Sequence, residues 1–397
     1  EQAYKRKFSN SGGVEMISIR RDTLAYEMLT FLAYVGEFPY SSLHLLGNSE
    51  VYRKLISKLS QEQTFRIPNH PDRITGRVLN ISGSKSLKTI RLSQKGVAIL
   101  EIANPEAAEY HLQTYGRTNP SSSSLRIDRS HRLAETTALF RLVGIETRPY
   151  ELPTLQLTSF KNIVPAEPVF YTSHTLKHFG QDSVNKIAFS RITGMLFSPG
   201  GSYVVYNSRD SLMNWNGRGE GKVKLHLSSV ARMNAGIDEV NSAMMLGSDY
   251  HIAKQTLAFL GKVNRVEMRF DNIYSHLHFI PMNSFGVRLI KLLVIPDWNE
   301  ILQDLLFDEE ELAGTGATFC YDAFREGTYM LSFLDSDIFR LNAFWEAVRV
   351  HKYKASVICF PEQVPFLRSL LRDKVSIQTV TMDMVENAIY EGCDSDE

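Results

Sequence analysis

Cysteine is scarce in this chain, with only Cys320, Cys359 and Cys393 among 397 residues. Their wide spacing makes no metal-ligand pattern, and the odd, low count fits a reducing compartment. No Gly-x-x-x-x-Gly-Lys-Ser/Thr stretch is present, which leaves phosphate-loop ATP hydrolysis without support. No Gly-x-Ser-x-Gly marks a serine hydrolase either. Long apolar runs are missing: none reaches the length that crosses a bilayer, and no secretory leader is visible. The expectation is a cytoplasmic protein with no membrane partner. Net charge is absent too, 44 Lys/Arg against 44 Asp/Glu. A composition of 43% hydrophobic and 22% charged residues is that of a folded chain, and the length calls for two or three domains.

The charge balance is global, not local. Between Ser49 and Gly96 stand ten cations: Arg53, Lys54, Lys58, Arg66, Arg73, Arg77, Lys85, Lys88, Arg91 and Lys95. Only Glu50, Glu62 and Asp72 oppose them, so this stretch carries +7 and the remainder −7. A basic module in an acidic protein points to a polyanionic partner. Leu24, Met28, Phe31, Leu32 and Val35 recur at helical spacing, and Gly36 stops that helix. A short helix fits residues 39–46, with Pro39 near its first turn. Asn48 or Ser49 can cap a third helix to about Ser60, with Val51, Leu55, Ile56 and Leu59 facing inward. Extended runs at 64–67 and 87–92 flank a Pro/Gly/Asn-rich excursion over 68–84.

Three helices followed by a basic hairpin describe a winged helix-turn-helix. Phosphates line both flanks of a groove, so cations are needed on helix and wing together. Arg53, Lys54 and Lys58 on the helix, with Arg73, Arg77, Lys85 and Lys88 on the wing, are the candidate contacts to double-stranded DNA. The alternatives are a helical bundle with a solvated hairpin, or a winged helix that binds another protein.

Residues 1–16 read as a leader or flexible tail, 17–115 as the winged helix, and 116–128 as a Ser-rich linker. An α/β domain is expected over 129–312, opening on a helix that contains His131. Its hairpin turns at Pro199-Gly200-Gly201, and a helix follows over 223–233. Residues 313–390 alternate strand and helix as a β-α-β-α-β module with a parallel sheet, and 391–397 form an acidic tail.

The run Leu92-Ser93-Gln94-Lys95-Gly96, the helix opening at His131, the hairpin and the Glu-x-Lys step together resemble the replication-relaxation family of bacterial plasmids and integrative elements. The resemblance spans roughly residues 17–233. It implies DNA binding in plasmid replication or conjugative transfer, alongside other mobile-element proteins, and a nuclease-like α/β body. Homodimers are a further expectation for a winged helix on a palindrome. In some members an acid on the first hairpin joins another on the next strand. Here the hairpin entry, Ser190-Arg191-Ile192-Thr193-Gly194, has no carboxylate, while Glu220 and Lys222 match the second acid and the lysine. A phosphodiesterase holding Mg or Mn needs two or more carboxylates, so one glutamate suffices only if Asp182 or Asp210 joins it. Otherwise Glu220 is a solvated residue before a helix.

A second candidate is Tyr274-Ser275-His276-Leu277-His278. On a strand His276 and His278 share a face and can share a metal, with Asp271 or Asp249 as an oxygen ligand and Tyr274 as nucleophile. This resembles rolling-circle relaxases. The plainer reading is two half-buried histidines. Asp335 and Asp337 either hold a metal or cap the helix beginning near Ile338. The reading is a DNA-binding protein with no cofactor, its α/β body an assembly or regulatory platform; the alternative is an enzyme that nicks DNA with Mg or Mn in that body.

Overall fold

The computed structural model describes residues 16–116, 123–147, 167–176, 191–213, 217–235, 240–260, 269–312 and 319–393. Asp182, Ser190 and both expected tails (except residues 16 and 391–393) lie outside them. The fold is mixed α/β, in two compact units that divide between Ala134 and Glu135. Among the described residues no helix is long and apolar enough to cross a membrane.

The first unit opens with β1 (Ile17–Ser18), α1 (Leu24–Val35) and β2 (Glu37–Pro39), then a 3-10 turn over Tyr40–Leu45. Next come α2 (Ser49–Leu59), β3 (Gln63–Arg66), β4 (Ile74–Gly76), β5 (Leu79–Ser82) and β6 (Thr89–Leu92). Helices α3 (Gln94–Ala103) and α4 (Pro105–Tyr115) close it. Side-chain caps mark the starts: Thr23 Oγ1 for α1, Asn48 Oδ1 for α2, Ser93 Oγ for α3 and Asn104 Oδ1 for α4. Met28, Phe31, Leu32 and Val35 of α1 are buried, as their spacing predicts, while Leu24 at its start is half-buried.

The extended runs 64–67 and 87–92 do not pair with each other as a single wing. β3 lies between β1 and β4, whereas β6 lies between β2 and β5, giving two three-stranded sheets. The excursion between the runs supplies both missing strands, β4 and β5. They are three and four residues long, too short to show alternation. The expected helix over 39–46 is the tighter 3-10 turn. Gly96 brings α3 against the sheet, because a Cβ there would stand 2.3 Å from the Val78 carbonyl oxygen.

Helix α5 (Ser124–Val143) runs through the division, so the second half of the expected linker is helical. In the second unit β7 (Glu146–Thr147), β8 (Val169–Thr172), α6 (Ser173–Leu176), β9 (Ile192–Ser198) and β10 (Gly201–Arg209) are followed by α7 (Gly217–Ala235). The chain continues through β11 (Ser242–Gly247), α8 (Tyr250–Leu260), β12 (His276–Pro281), α9 (Ser284–Leu293) and α10 (Trp298–Leu306). These strands form one sheet in the order β12-β11-β10-β9-β8-β7. It is parallel across β10, β11 and β12 and antiparallel across β8, β9 and β10. The β9–β10 hairpin turns where Pro199-Gly200-Gly201 predicts, Gly201 opposite Ser198. Gly200 is required there, since a Cβ would lie 2.2 Å from the Ile295 carbonyl oxygen.

A second sheet, β13 (Ala323–Arg325), β14 (Thr328–Ser332), β15 (Ala355–Cys359) and β16 (Ser376–Thr379), is parallel across its last three strands. Helices α11 (Ile338–His351) and α12 (Val364–Leu371) make the crossovers, and α13 (Met382–Cys393) follows. Both sheets contribute to one apolar core, in which Met245, Leu277 and Phe279 pack with Phe333, Ile338 and Val357.

Candidate nucleic-acid interface

Helix α2 is amphipathic with a sharp inner edge: Tyr52, Ile56 and Leu59 are buried, at i, i+4 and i+7. That register turns Val51 outward, where spacing predicts it inward, and leaves it 48% exposed. Arg53 and Lys54 are exposed and Lys58 is half-buried. Arg53 forms an exposed i, i+3 ion pair with Glu50.

The remaining candidates divide between two hairpins. Arg73 and Arg77 are exposed but flank β4, so they go with the β3–β4 pair and not with the β5–β6 hairpin. Lys85 is exposed in the β5–β6 connection with a left-handed φ of 51°. Lys88 is half-buried, its Nζ 4.0 Å above the Tyr40 ring, an arrangement that ties the start of β6 to the 3-10 turn. Arg91 is committed to the fold: its guanidinium pairs with Glu37, joining β6 to β2, with both side chains largely buried.

In the second unit, Glu220 and Lys222 do not act together. The helix expected to begin at Val223 begins at Gly217, so both residues sit within α7. Two residues apart on a helix are about 200° apart around its axis, and accordingly Glu220 is fully buried while Lys222 is exposed. The Glu220 carboxylate accepts from Arg191 Nη1 at 3.0 Å and from the Tyr206 hydroxyl at 2.9 Å. Burial raises its pKa, and these two partners oppose the rise. The Tyr274 hydroxyl lies 3.1 Å from that of Tyr206, so Tyr274 joins the Glu220 network and not the histidines. Burial drives the Tyr274 pKa far up, the reverse of what a nucleophile needs. Alanine at Glu220 is expected to cost about 2 kcal/mol, because Arg191 and Tyr206 lose their acceptor and Arg191 is near enough to water to recover part of it. Alanine at Lys222 should change stability by less than about 0.5 kcal/mol. Urea unfolding of the two variants checks the contrast.

His276 and His278 do share a face of β12, their rings 6.3 Å apart and nearly parallel. Each is anchored through Nδ1, His276 to Asp337 Oδ2 at 2.7 Å and His278 to the Asp335 carbonyl oxygen at 2.9 Å. His278 is buried between the edges of Tyr203 and Trp298. Asp249 instead caps α8 through the His251 amide, and Asp271 pairs with Arg269. Asp337 caps α11 at the Phe339 and Arg340 amides, and Asp335 pairs with Arg340. Among the described residues no group of three or more His, Cys, Asp and Glu side chains is placed to share a metal ion.

Asp337 is the residue that sequence reasoning left incomplete. Its capping role is legible from its place before an apolar helix, but its contact with His276, 61 positions away, has no local signature. Glu220 does have one: residues 220, 223, 227 and 231 repeat at i, i+3, i+7 and i+11, which puts the glutamate on the buried stripe with Val223, Leu227 and Ala231. No family model, curated protein or solved structure matches the chain.

Proposed function

We propose that this chain binds duplex DNA through its first unit, acting as a winged helix-turn-helix in the replication or transfer of a bacterial mobile element. The observation that carries the reading is the order β2-β6-β5. It places a strand from between the first two helical segments beside the two strands that follow α2, with α2 presenting cations outward. In that arrangement α2 enters the major groove, and the β5–β6 turn with Lys85 follows the neighbouring backbone. Arg73 and Arg77 add a second hairpin of cations. The mobile-element role rests on the resemblance to replication-relaxation proteins. In this reading the second unit serves as an assembly platform with a nuclease-like layout. Its candidate catalytic groups are engaged with one another: Glu220 with Arg191 and Tyr206, Tyr274 with Tyr206, His276 with Asp337.

Binding of a fluorescent duplex, followed by anisotropy over a range of KCl concentrations, tests this. Counterion release predicts that log K falls against log salt with a slope of about −4 to −6, near 0.9 per phosphate neutralised. A slope near zero, or no binding at low salt, overturns the reading.

A further inference from the structure

We propose that Val51 reads the C5-methyl group of a thymine, which makes binding sequence-specific. The inference rests on the duplex-binding reading above. Val51 stands in the first turn of α2, the part of a groove-entering helix that meets base edges. Its stripe, at i, i+3 and i+7, continues with Lys54 and Lys58, so one apolar residue heads a row of two cations. The fold does not require valine there: the side chain is outside the buried stripe, and lysine or glutamate would form a better helix.

The position is also held firmly. Asn48 Oδ1 accepts from the Glu50 and Val51 amides at 3.0 and 3.3 Å, which fixes the first turn. A β-branched side chain in a helix keeps essentially one rotamer, so its two methyl groups form a rigid knob. Arg53 is paired with Glu50 on the adjoining stripe. In the major groove the apolar feature offered by an unmodified base pair is the thymine methyl, which matches such a knob. Lys54 and Lys58 then address the phosphates or guanine edges farther along.

The test uses the intact chain and duplexes enriched by it from a random-sequence pool. The best duplex is resynthesised with uracil for thymine, one position at a time, removing a methyl group and nothing else. At one position the wild-type chain should lose about fourfold in affinity, the value of one methyl withdrawn from water. Val51→Ala should bind the thymine and uracil forms of that duplex equally, while both proteins keep the same salt slope. Wild-type binding indifferent to uracil at every position overturns the inference, as does a thymine preference that Val51→Ala retains in full. A wild-type chain that enriches no duplex overturns the underlying reading instead, and the inference with it.

Discussion

Alanine at Arg53, Lys54 and Lys58 together is expected to weaken duplex binding roughly a hundredfold, ~2.7 kcal/mol, and to make the salt slope shallower by about 2 to 3. All three lie on the outward side of α2, away from Tyr52, Ile56 and Leu59. Alanine is a strong helix former, so the fold should be little affected. The Arg53–Glu50 pair is exposed, and exposed pairs contribute little, so Arg53 exchanges its partner for a phosphate at small cost. Without the cations, Glu50 would face the groove uncompensated, which deepens the loss. Anisotropy titrations at several KCl concentrations give both numbers. Lys352, Lys354 and Arg368 of the second unit, replaced together, serve as the comparison. If the two triple variants lose affinity equally, α2 has no special part in binding.

The largest stability effect is expected at Asp337. This carboxylate is fully buried and serves two elements at once. Oδ1 accepts from the Leu277 amide of β12 at 3.1 Å and from the Phe339 and Arg340 amides of α11 at 3.0 and 3.3 Å, while Oδ2 holds His276. Asp337→Ala leaves these donors inside the protein without acceptors and should cost about 3–5 kcal/mol. Asp337→Asn keeps an oxygen for the helix cap and should cost less.

The charge itself is read from pH. The Asp337 hydrogen bond raises the His276 pKa above the ordinary 6.5, and at Asp337 the upward push of burial is outweighed by His276, so its pKa stays below the ordinary 3.8, with Asp335, His278 and Arg340 also acting on the pair. A raised histidine stabilises the fold fully below its unfolded pKa and ceases to as pH rises through the folded value. A depressed aspartate stabilises above its unfolded pKa and ceases to as pH falls through its folded value. The pair therefore contributes most between about pH 4 and 6.5. His276 is 43% exposed, so solvent screening trims its share. Urea midpoints for wild type and Asp337→Asn should differ more at pH 5 than at pH 8.5. Equal gaps would mean that the ion pair adds nothing beyond the cap.

Some of this architecture is legible along the chain and some is not. The spacing of Leu24, Met28, Leu32 and Val35 with Gly36 behind them specifies α1, and the rhythm after residue 328 specifies β14, β15 and β16 with their crossovers. Local chemistry decides those elements, so local reading finds them. The two small sheets of the first unit are harder, because β4 and β5 are too short for periodicity to register. Their pairing is chosen by β1, β2, β3 and β6. Val51 continues an apolar spacing with Leu55, which by itself predicts an inward side chain. The bulkier Tyr52 wins the interior, and the helix rotates accordingly. At α7 the run Gly217-Arg218-Gly219 hides the helix start, since glycine is a weak helix former, and a Glu220 ahead of the helix would be solvated where the Glu220 inside it is buried. The exposed candidate cations of the interface were all visible in the sequence. Which hairpin carries Arg73 and Arg77 was not.

The bridge between His278 and Asp337, reinforced by the Phe279 amide donating to the Ser336 carbonyl at 2.9 Å, bears on how this chain can be shortened. A truncation after α10 would strip the roof from Leu277 and Phe279, and the trailing fragment alone would have no floor beneath Phe333 and Ile338. Neither sheet of this unit keeps a complete core without the other. The division inside α5 is where the described residues separate into two compact units, so a cut there leaves the shared core of the two sheets intact.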